Sequence, residues 1–246
     1  MTKIQDKIYE TYSSKKVHKD GKIVSQSDMS IWARHTFERV KYFLPADNSA
    51  AILDIATGTG NFLFMLSEKG YSNLTGVDIS EEQIDIAKRI VPTAQLHHTD
   101  LIDFLLGKEN QFDLISGFDI IEHFTREEAY KLLLKVNKAL KPNGRIILQT
   151  PNAYSPWMGS VCYGDLTHEW FYTPNSLDDL LIQCGFSQYI AIEAAPVKIG
   201  IKGHIRTLAW NISKSFYKFM NASEIGGSGK DQIFSRVFIA AAVKKI

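Results

Sequence analysis

Between residues 51 and 150 the sequence alternates short β-prone runs with longer segments of helical periodicity. Such alternation is typical of βαβ units, in which helices cover a parallel sheet. No internal repeat or low-complexity tract interrupts the pattern. The sequence therefore predicts an α/β fold with a mostly parallel sheet.

Seven short runs have the composition and length of strands, and turn or capping residues separate them. Ser80 and Thr125 are predicted N-caps, because Gln83 and Glu128 follow each of them three residues later. Residues 141–144 are predicted to form a turn between a helix and the fifth strand. The predicted strands are residues 51–56, 73–78, 94–98, 112–117, 145–149, 189–193 and 233–243.

Three segments lie outside this alternation, namely residues 1–45, 150–172 and 195–231. With 246 residues and 45% hydrophobic content, the chain 1–246 is expected to form one domain. Ligands of open α/β sheets bind beyond the carboxyl ends of the strands. We therefore expect an N-terminal helical cap over 1–45 and two insertions beside that edge, which set the choice of substrate.

A glycine-rich turn joins the first predicted strand to the helix that follows it. Residues 54–61 read Asp-Ile-Ala-Thr-Gly-Thr-Gly-Asn, and Gly58 and Gly60 let the backbone approach a ligand closely. A dinucleotide-binding turn needs glycine or alanine where this chain has Leu63. A carboxylate at Asp54 would also repel a pyrophosphate, whereas it suits a ligand with ammonium and sulfonium groups.

Two further acids follow neighbouring predicted strands. Asp78 lies about 20 residues beyond the turn, where an acid can bind ribose hydroxyls, and this position fits NAD equally well. Asp100 could accept a hydrogen bond from an adenine amino group. Asp100 could instead be only the N-cap of a helix over 101–106, and both interpretations stay open.

The order of these motifs resembles that of class I S-adenosylmethionine-dependent methyltransferases. The resemblance covers about residues 50–150 and lies in Asp54-Ile-Ala-Thr-Gly-Thr-Gly, Gly76-Val-Asp-Ile-Ser, Asp100-Leu, Phe112-Asp-Leu-Ile-Ser, Ile121-Glu-His and Leu140-Lys-Pro-Asn-Gly-Arg-Ile-Ile-Leu. It implies a Rossmann-like sheet of seven strands, flanked by helices, with the last strand antiparallel. It also implies S-adenosylmethionine as methyl donor and S-adenosylhomocysteine as product.

The same resemblance implies which residues hold the cofactor, and we add Asn61 because it ends the glycine-rich turn. Ala56 departs from the family, which most often has glycine there, so a slightly altered turn with retained binding is expected. The cofactor-binding candidates are Asp54, Ala56, Gly58, Gly60, Asn61, Asp78, Ile79, Asp100, Leu101 and Phe118.

A looser resemblance, to bacterial methyltransferases of surface-polysaccharide pathways, extends over nearly the whole chain. It lies in residues 151–154, 164–169, 173–177 and 233–238. It implies O-methylation of a sugar or phosphate-linked precursor of capsule or O-antigen, linked to a nucleotide or a lipid. Two alternatives stay open: methylation of a quinone or another small metabolite, and a non-catalytic protein that binds the cofactor and acts by interaction.

Two histidines near the predicted strand ends are the candidate catalytic bases. Methyl transfer is an in-line displacement, so the enzyme aligns the acceptor and removes a proton from a hydroxyl. His168 is the first candidate and His123 the second, because imidazole titrates near neutrality; a structural His123 and a solvated His168 are the alternatives. Glu122 and Asp165, together with the two histidines, also carry metal-ligand chemistry, but no tight ligand spacing appears, so no metal ligand is predicted.

The three segments outside the alternation contain aromatic and basic residues that have more than one possible role. Trp32, Arg34 and His35 are predicted to close the site as a lid. A helix is predicted over 208–220, and basic residues precede it. These basic residues either contact a phosphate of the acceptor or a membrane surface, or they form a solvated face on an insertion that packs or forms a homodimer. The basic residues are Lys198, Lys202, His204 and Arg206, and the aromatic residues that stack on an acceptor or pack the segment are Tyr154, Trp157, Tyr163, Trp170, Phe171 and Tyr172.

Charge and composition exclude several classes of partner. The net charge of +1 gives no electrostatic case for a nucleic acid, and residues 117–122 lack the Asn/Asp-Pro-Pro-aromatic signature typical of DNA amino-methyltransferases. No secretory signal or membrane-length apolar run is visible. Cys162 and Cys184 form no CxxC pair and are interpreted as reduced thiols. We therefore expect a cytoplasmic protein with a small-molecule acceptor and no transmembrane segment.

Overall fold

A computed structural model describes residues 26–226 and 232–245. In it one seven-stranded sheet has the order β3-β2-β1-β4-β5-β7-β6. Strands β1 to β5 pair in parallel, and β7 is antiparallel to both β5 and β6. The predicted α/β fold with an antiparallel last strand is confirmed. The strands are β1 (Ile52–Ile55), β2 (Leu74–Asp78), β3 (Gln95–His98), β4 (Phe112–Phe118), β5 (Leu140–Pro151), β6 (Phe186–Glu193) and β7 (Val237–Lys244).

Eight helices within the described ranges flank this sheet, and side-chain caps fix several of their starts. The Ser80 hydroxyl accepts a hydrogen bond from the Gln83 amide, as predicted, and Thr125 closes a capping box with Glu128. The helices are α1 (Gln26–Val40), α2 (Asn61–Ser67), α3 (Glu81–Ile90), α4 (Leu101–Phe104), α5 (Arg126–Ala139), α6 (Met158–Cys162), α7 (Pro174–Gln183) and α8 (Gly200–Ile225), with a 3₁₀ turn at Ile121–His123. None of these described helices is long and apolar enough to cross a bilayer.

The central strands are buried on both faces, as expected of a parallel sheet covered by helices. In β1, Leu53 and Ile55 pack in the cluster that contains the apolar residues of α5 and α7. Ile52 packs in the opposite cluster, with residues of α1 and α2. Each face of the sheet therefore carries its own hydrophobic layer, and the ends of the strands are held rigidly between them.

Several element boundaries differ from the sequence-based prediction. The predicted turn over residues 141–144 is instead an irregular part of β5, where the register shifts between Phe112 and Leu114 and Asn143 has φ of 63°. β7 begins at Val237, not at residue 233, because the carbonyls of Ile233 and Ser235 accept hydrogen bonds from the Asn152 amide instead of pairing in the sheet.

The extra segments are described only in part. Residues 1–25 of the predicted N-terminal cap and residues 227–231 lie outside the described ranges. The helix predicted over 208–220 is longer, since α8 begins at Gly200, so Lys202, His204 and Arg206 lie within it and do not precede it.

Candidate active site

The carboxyl ends of the parallel strands contain a topological switch point between β1 and β4. These strands are neighbours, yet the chain continues from β1 to β2 on one side and from β4 to β5 on the other. A crevice that can receive a ligand opens at such a point. The glycine-rich turn follows β1, Asp78 ends β2, Asp100 follows β3 and Phe118 ends β4, so the predicted cofactor residues share this edge.

The glycine-rich turn has left-handed backbone at three positions, and two of them are glycines. Gly58 has φ of 54°, and Gly60, the N-cap of α2, has φ of 82°. A Cβ on Gly60 would also lie 3.1 Å from that of Ala87. Glycine therefore gives the turn this conformation without strain at both positions, and at Gly60 it also avoids a close contact.

Asp78 connects the turn to the second strand. Its Oδ2 accepts a hydrogen bond from the Gly58 amide at 2.8 Å, and its Oδ1 accepts one from the Ser80 amide at 2.9 Å. Each oxygen of a carboxylate has a further lone pair, so Asp78 can also accept from two ribose hydroxyls. Burial raises the pKa of this carboxyl, while the backbone donors oppose the rise.

Asp54 is buried beneath the turn. Its two carboxylate oxygens accept hydrogen bonds from the Thr57 hydroxyl at 2.8 Å and the Ser116 hydroxyl at 2.7 Å. Burial raises the pKa of Asp54 to about 7, because a charge in a low-dielectric environment is costly. Asp54 therefore holds the turn against β4, and its direct contact with a cofactor stays a prediction.

Ala56 adopts a conformation that alanine disfavours. Its φ is 52°, in the left-handed region, which costs a residue with a Cβ about 1–2 kcal/mol. Ala56 therefore carries backbone strain, and the expectation that the turn differs from the family's stays a prediction.

Replacing Ala56 with glycine is expected to stabilise the protein by about 0.5–1 kcal/mol, because relief of this strain exceeds the added entropy of the unfolded chain. Thermal unfolding measures the change. Ala209→Gly on the exposed face of α8 is the matched control, and it should destabilise the protein by about 1 kcal/mol. A loss of stability in Ala56→Gly as large as in the control would contradict the assigned conformation.

Two further candidates offer groups that suit an adenosine linked to an amino acid. The Oδ1 of Asn61 is buried and has no hydrogen-bond partner among the described residues, so a polar ligand group would satisfy it. The side chain of Ile79 is 47% exposed beside Asp78, which leaves an apolar surface for a base. The residues therefore fit the cofactor implied by the motifs.

Asp100 is a helix cap, as one of the two interpretations held. Its Oδ1 accepts hydrogen bonds from the amides of Ile102 at 2.7 Å and Asp103 at 3.3 Å. Both bonds use the same oxygen, so Oδ2 can still accept from a ligand. Leu101 follows it in α4 and packs against the hydrophobic cluster beneath α5.

Phe118 forms an aromatic contact at the end of β4. Its ring lies 4.7 Å from that of Phe62 and 6.4 Å from that of Trp32, between ring centroids. Of the predicted lid residues, Trp32 thus reaches the site, whereas Arg34 is exposed. Burial, followed by the positive charges of Arg39 and Arg206, lowers the pKa of His35.

The two candidate bases, His168 and His123, lie close together although they are far apart in the sequence. Their ring centroids are 4.9 Å apart. The Nδ1 of His168 is 2.8 Å from the carbonyl oxygen of Cys162. A carbonyl only accepts, so Nδ1 carries the proton and Nε2 carries the lone pair.

A second hydrogen-bond chain sets the tautomer of His123. Its Nδ1 is 3.0 Å from the Thr167 hydroxyl and 3.3 Å from the Thr167 carbonyl oxygen. The same hydroxyl donates to Asp165 at 2.6 Å, so it accepts from His123. Nδ1 is again the donor, and each histidine therefore has its lone pair on Nε2.

Glu122 completes this cluster, which we call the histidine cluster: Glu122, His123 and His168. Glu122 is 1% exposed, and only its Oε2 has a partner among the described residues, the Thr150 hydroxyl at 3.0 Å. Burial, followed by repulsion from Asp119, raises its pKa to about 8. Glu122 is therefore largely a neutral acid at pH 7, and its O–H can donate a hydrogen bond.

From the sequence, Glu122 had no role in proton transfer and was grouped with His123 and His168 only in a metal site that no ligand spacing supported. One donor atom of each cluster member lies within 4.8 Å of the others, so the three are nearer than their spacing in sequence indicated. The available signal was the direct succession of Glu122 and His123 after a buried strand.

The aromatic residues after β5 mainly pack the segment onto the protein. Tyr172 is 2% exposed, the Arg126 guanidinium lies 4.5 Å from the Trp170 ring centroid, and Trp157 contacts Trp210 and Tyr217 of α8. Packing thus accounts for these residues without an acceptor.

Comparison with known proteins assigns the chain to a family. A family described as a methyltransferase domain matches residues 29–192. Among curated relatives, EEF1A lysine methyltransferase 2 of Danio rerio is 34% identical over 140 residues, 50% of this chain and 58% of the relative. The dTDP-3-amino-3,6-dideoxy-alpha-D-glucopyranose N,N-dimethyltransferase of Streptomyces fradiae is 40% identical over 111 residues, 44% of this chain and 40% of the relative. The chain thus spans about half the length of these relatives.

Solved structures show the same fold. A SAM-dependent methyltransferase from Archaeoglobus fulgidus superposes with a TM-score of 0.62 at 21% identity, covering 86% of this chain and 94% of that one. The matched family, the seven-stranded sheet and the glycine-rich turn agree with one another. The chain therefore belongs to the methyltransferase domain family, and its cofactor is S-adenosylmethionine.

Proposed function

We propose that this protein transfers a methyl group from S-adenosylmethionine to a hydroxyl of a sugar, carried by a nucleotide or another phosphate-containing group, in surface-polysaccharide biosynthesis. The observation that carries the proposal is the histidine cluster beside the cofactor edge. Two imidazoles that turn Nδ1 toward fixed oxygens and present Nε2 suit an acceptor which must lose a proton. S-adenosylhomocysteine is the second product of the reaction.

The bound cofactor supplies an electrophilic methyl group, and the residues of this chain align the acceptor and move its proton. His168 Nε2 takes the hydroxyl proton, and the carbonyl of Cys162 holds its ring in the required tautomer. His123, oriented by Thr167 and Asp165, is the second candidate for this step. Glu122, as a neutral acid, can donate a hydrogen bond to the acceptor oxygen or to an imidazole.

Two features support a sugar acceptor. One of the curated relatives is named for methylation of a dTDP-linked amino sugar, and the motifs after β5 resemble surface-polysaccharide enzymes. We keep a cytoplasmic location within the proposal, because Cys162 and Cys184 are free thiols and reduced cysteines are typical of that compartment.

The proposal is tested with methyl-labelled S-adenosylmethionine and a panel of acceptors: dTDP- and UDP-linked sugars with and without an amino group, phosphoethanolamine, a reduced quinone and a lysine peptide. Labelled O-methyl sugar, identified by mass spectrometry, is the expected product. Label on an amine would instead assign the chain to N-methylation, as the named relatives suggest. Binding without turnover on every acceptor would favour the non-catalytic alternative.

Cofactor affinity is expected to depend on pH through Asp54. Its raised pKa of about 7 means that the carboxyl becomes neutral as the pH falls below 7, and a neutral group attracts a cationic ligand less. Affinity for S-adenosylmethionine should therefore fall as the pH decreases from 8 to 6, by up to about tenfold per pH unit below the pKa. Calorimetry across this range measures it. Asp54→Asn is the control and should show a flatter profile; a flat profile in the wild-type chain would contradict a coupling between Asp54 and the cofactor.

A further inference from the structure

The outer face of α8 is apolar along most of its length. At about 100° per residue, the positions 201, 205, 208, 212, 216 and 219 fall on one stripe. All six are at least 57% exposed, so they face away from the sheet. We call Ile201, Ile205, Leu208, Ile212, Phe216 and Phe219 the outer stripe. A contiguous apolar surface of this kind marks an interaction site.

A few side-chain contacts on the opposite face of α8 set its orientation. Trp210 donates to Glu193 at 3.2 Å, and Lys214 pairs with the same carboxylate at 2.9 Å. Trp210 and Tyr217 contact the ring of Trp157. The outer stripe cannot turn inward without breaking these contacts.

Basic residues border the outer stripe, and no acid lies among residues 198–218. On the helix, Lys202 and His204 flank the stripe on its two sides, and Arg206 and Lys218 lie somewhat farther from it. Arg206 lies near Arg39 and His35, so the positive patch extends onto α1. An apolar stripe with a basic border is the pattern of a helix that lies in a membrane interface.

We propose that α8 binds the protein to the surface of an anionic membrane, with the outer stripe in the acyl boundary and Lys202, Arg206 and Lys218 at lipid phosphates. A second copy of the chain is a poorer occupant, because an antiparallel pair of these helices would bring two basic borders together.

The apolar surface also continues inward: Met220, with Tyr154, Tyr217 and Phe234, lines an open groove of about 560 Å³. This inference does not depend on which acceptor is methylated.

Sedimentation with vesicles tests the proposal. The full chain should co-sediment with vesicles of phosphatidylglycerol mixed with phosphatidylcholine, and binding should decrease as salt is added. The double variant Ile205→Asp, Ile212→Asp should lose at least about tenfold in partitioning. Lys202→Glu with Lys218→Glu should lose binding to the anionic vesicles in the same way. Ile182→Asp, at an isoleucine 52% exposed on α7, is the matched control and should bind like the wild type.

Folding of each variant is checked by its cofactor affinity, which these surface changes should leave intact. A wild-type chain that stays in the supernatant with these anionic vesicles overturns the proposal. If the double variant then converts a dimer into a monomer in light scattering, a second copy covers the outer stripe. Binding retained by the double variant would equally overturn the role of α8.

Discussion

Replacing Asp78 with alanine is expected to weaken S-adenosylmethionine binding by about 100-fold or more, because two charge-assisted hydrogen bonds to the ribose contribute about 1.5–3 kcal/mol each. The structure adds a second cause. The Gly58 and Ser80 amides lose the carboxylate that they now contact at 2.8 and 2.9 Å, so the turn itself becomes less ordered. Calorimetry measures the dissociation constant.

Two variants separate these causes. Asp78→Asn keeps an oxygen for one of the backbone amides but loses the charge, so its affinity should lie between those of the wild type and Asp78→Ala. Asp85→Ala removes an exposed acid of α3 that pairs only with Lys88 in the described residues, and it should leave affinity unchanged. Equal affinities for wild type and Asp78→Ala would refute the assigned ribose contact.

Replacing His168 with alanine is expected to lower turnover by about 10²–10⁴-fold, the usual contribution of a general base. Affinity for S-adenosylmethionine should change little, since His168 is proposed to act on the acceptor and not on the cofactor. Single-turnover rates with the acceptor that the panel identifies measure turnover, and calorimetry measures the affinity for S-adenosylmethionine. His97→Ala, at an exposed histidine of β3, is the matched control and should retain the wild-type rate.

The same assay decides between a base and a metal ligand at His168. If the histidine cluster works by proton transfer alone, a chelator leaves the wild-type rate unchanged. A rate that chelation abolishes and a divalent ion restores would make His168 and His123 metal ligands. A wild-type rate in His168→Ala would remove this residue from the chemistry.

The fold could be predicted from the sequence because its signals are local. The buried runs that became β1, β2 and β4 alternate with capped helices, and Ser80 and Thr125 begin their helices as expected. The cofactor edge follows from the same regularity, since residues that end parallel strands must meet at one edge. Predicted strand boundaries were wrong where tertiary contacts determine them. The last strand was predicted to begin at residue 233, whose carbonyl instead accepts a hydrogen bond from Asn152.

For the histidine cluster, the sequence predicted which residue types take part but not how they come together. The proximity of Glu122 and His168 depends on how the chain after β5 folds back, with the Glu169 and Trp170 amides donating to the Glu122 carbonyl. No sequence spacing encodes that return. The periodicity of α8 was similarly visible, but which of its faces is covered depends on Trp157 and Glu193, which lie outside the helix.

Isothermal titration of the wild-type chain with S-adenosylmethionine, S-adenosylhomocysteine and NAD shows directly which nucleotide the glycine-rich turn binds. We expect the first two to bind and NAD not to bind, because Leu63 replaces the third small residue of a dinucleotide turn and Asp54 lies buried beneath it. Binding of NAD alone would contradict the assignment of the turn, and the proposed methyl transfer would fall with it.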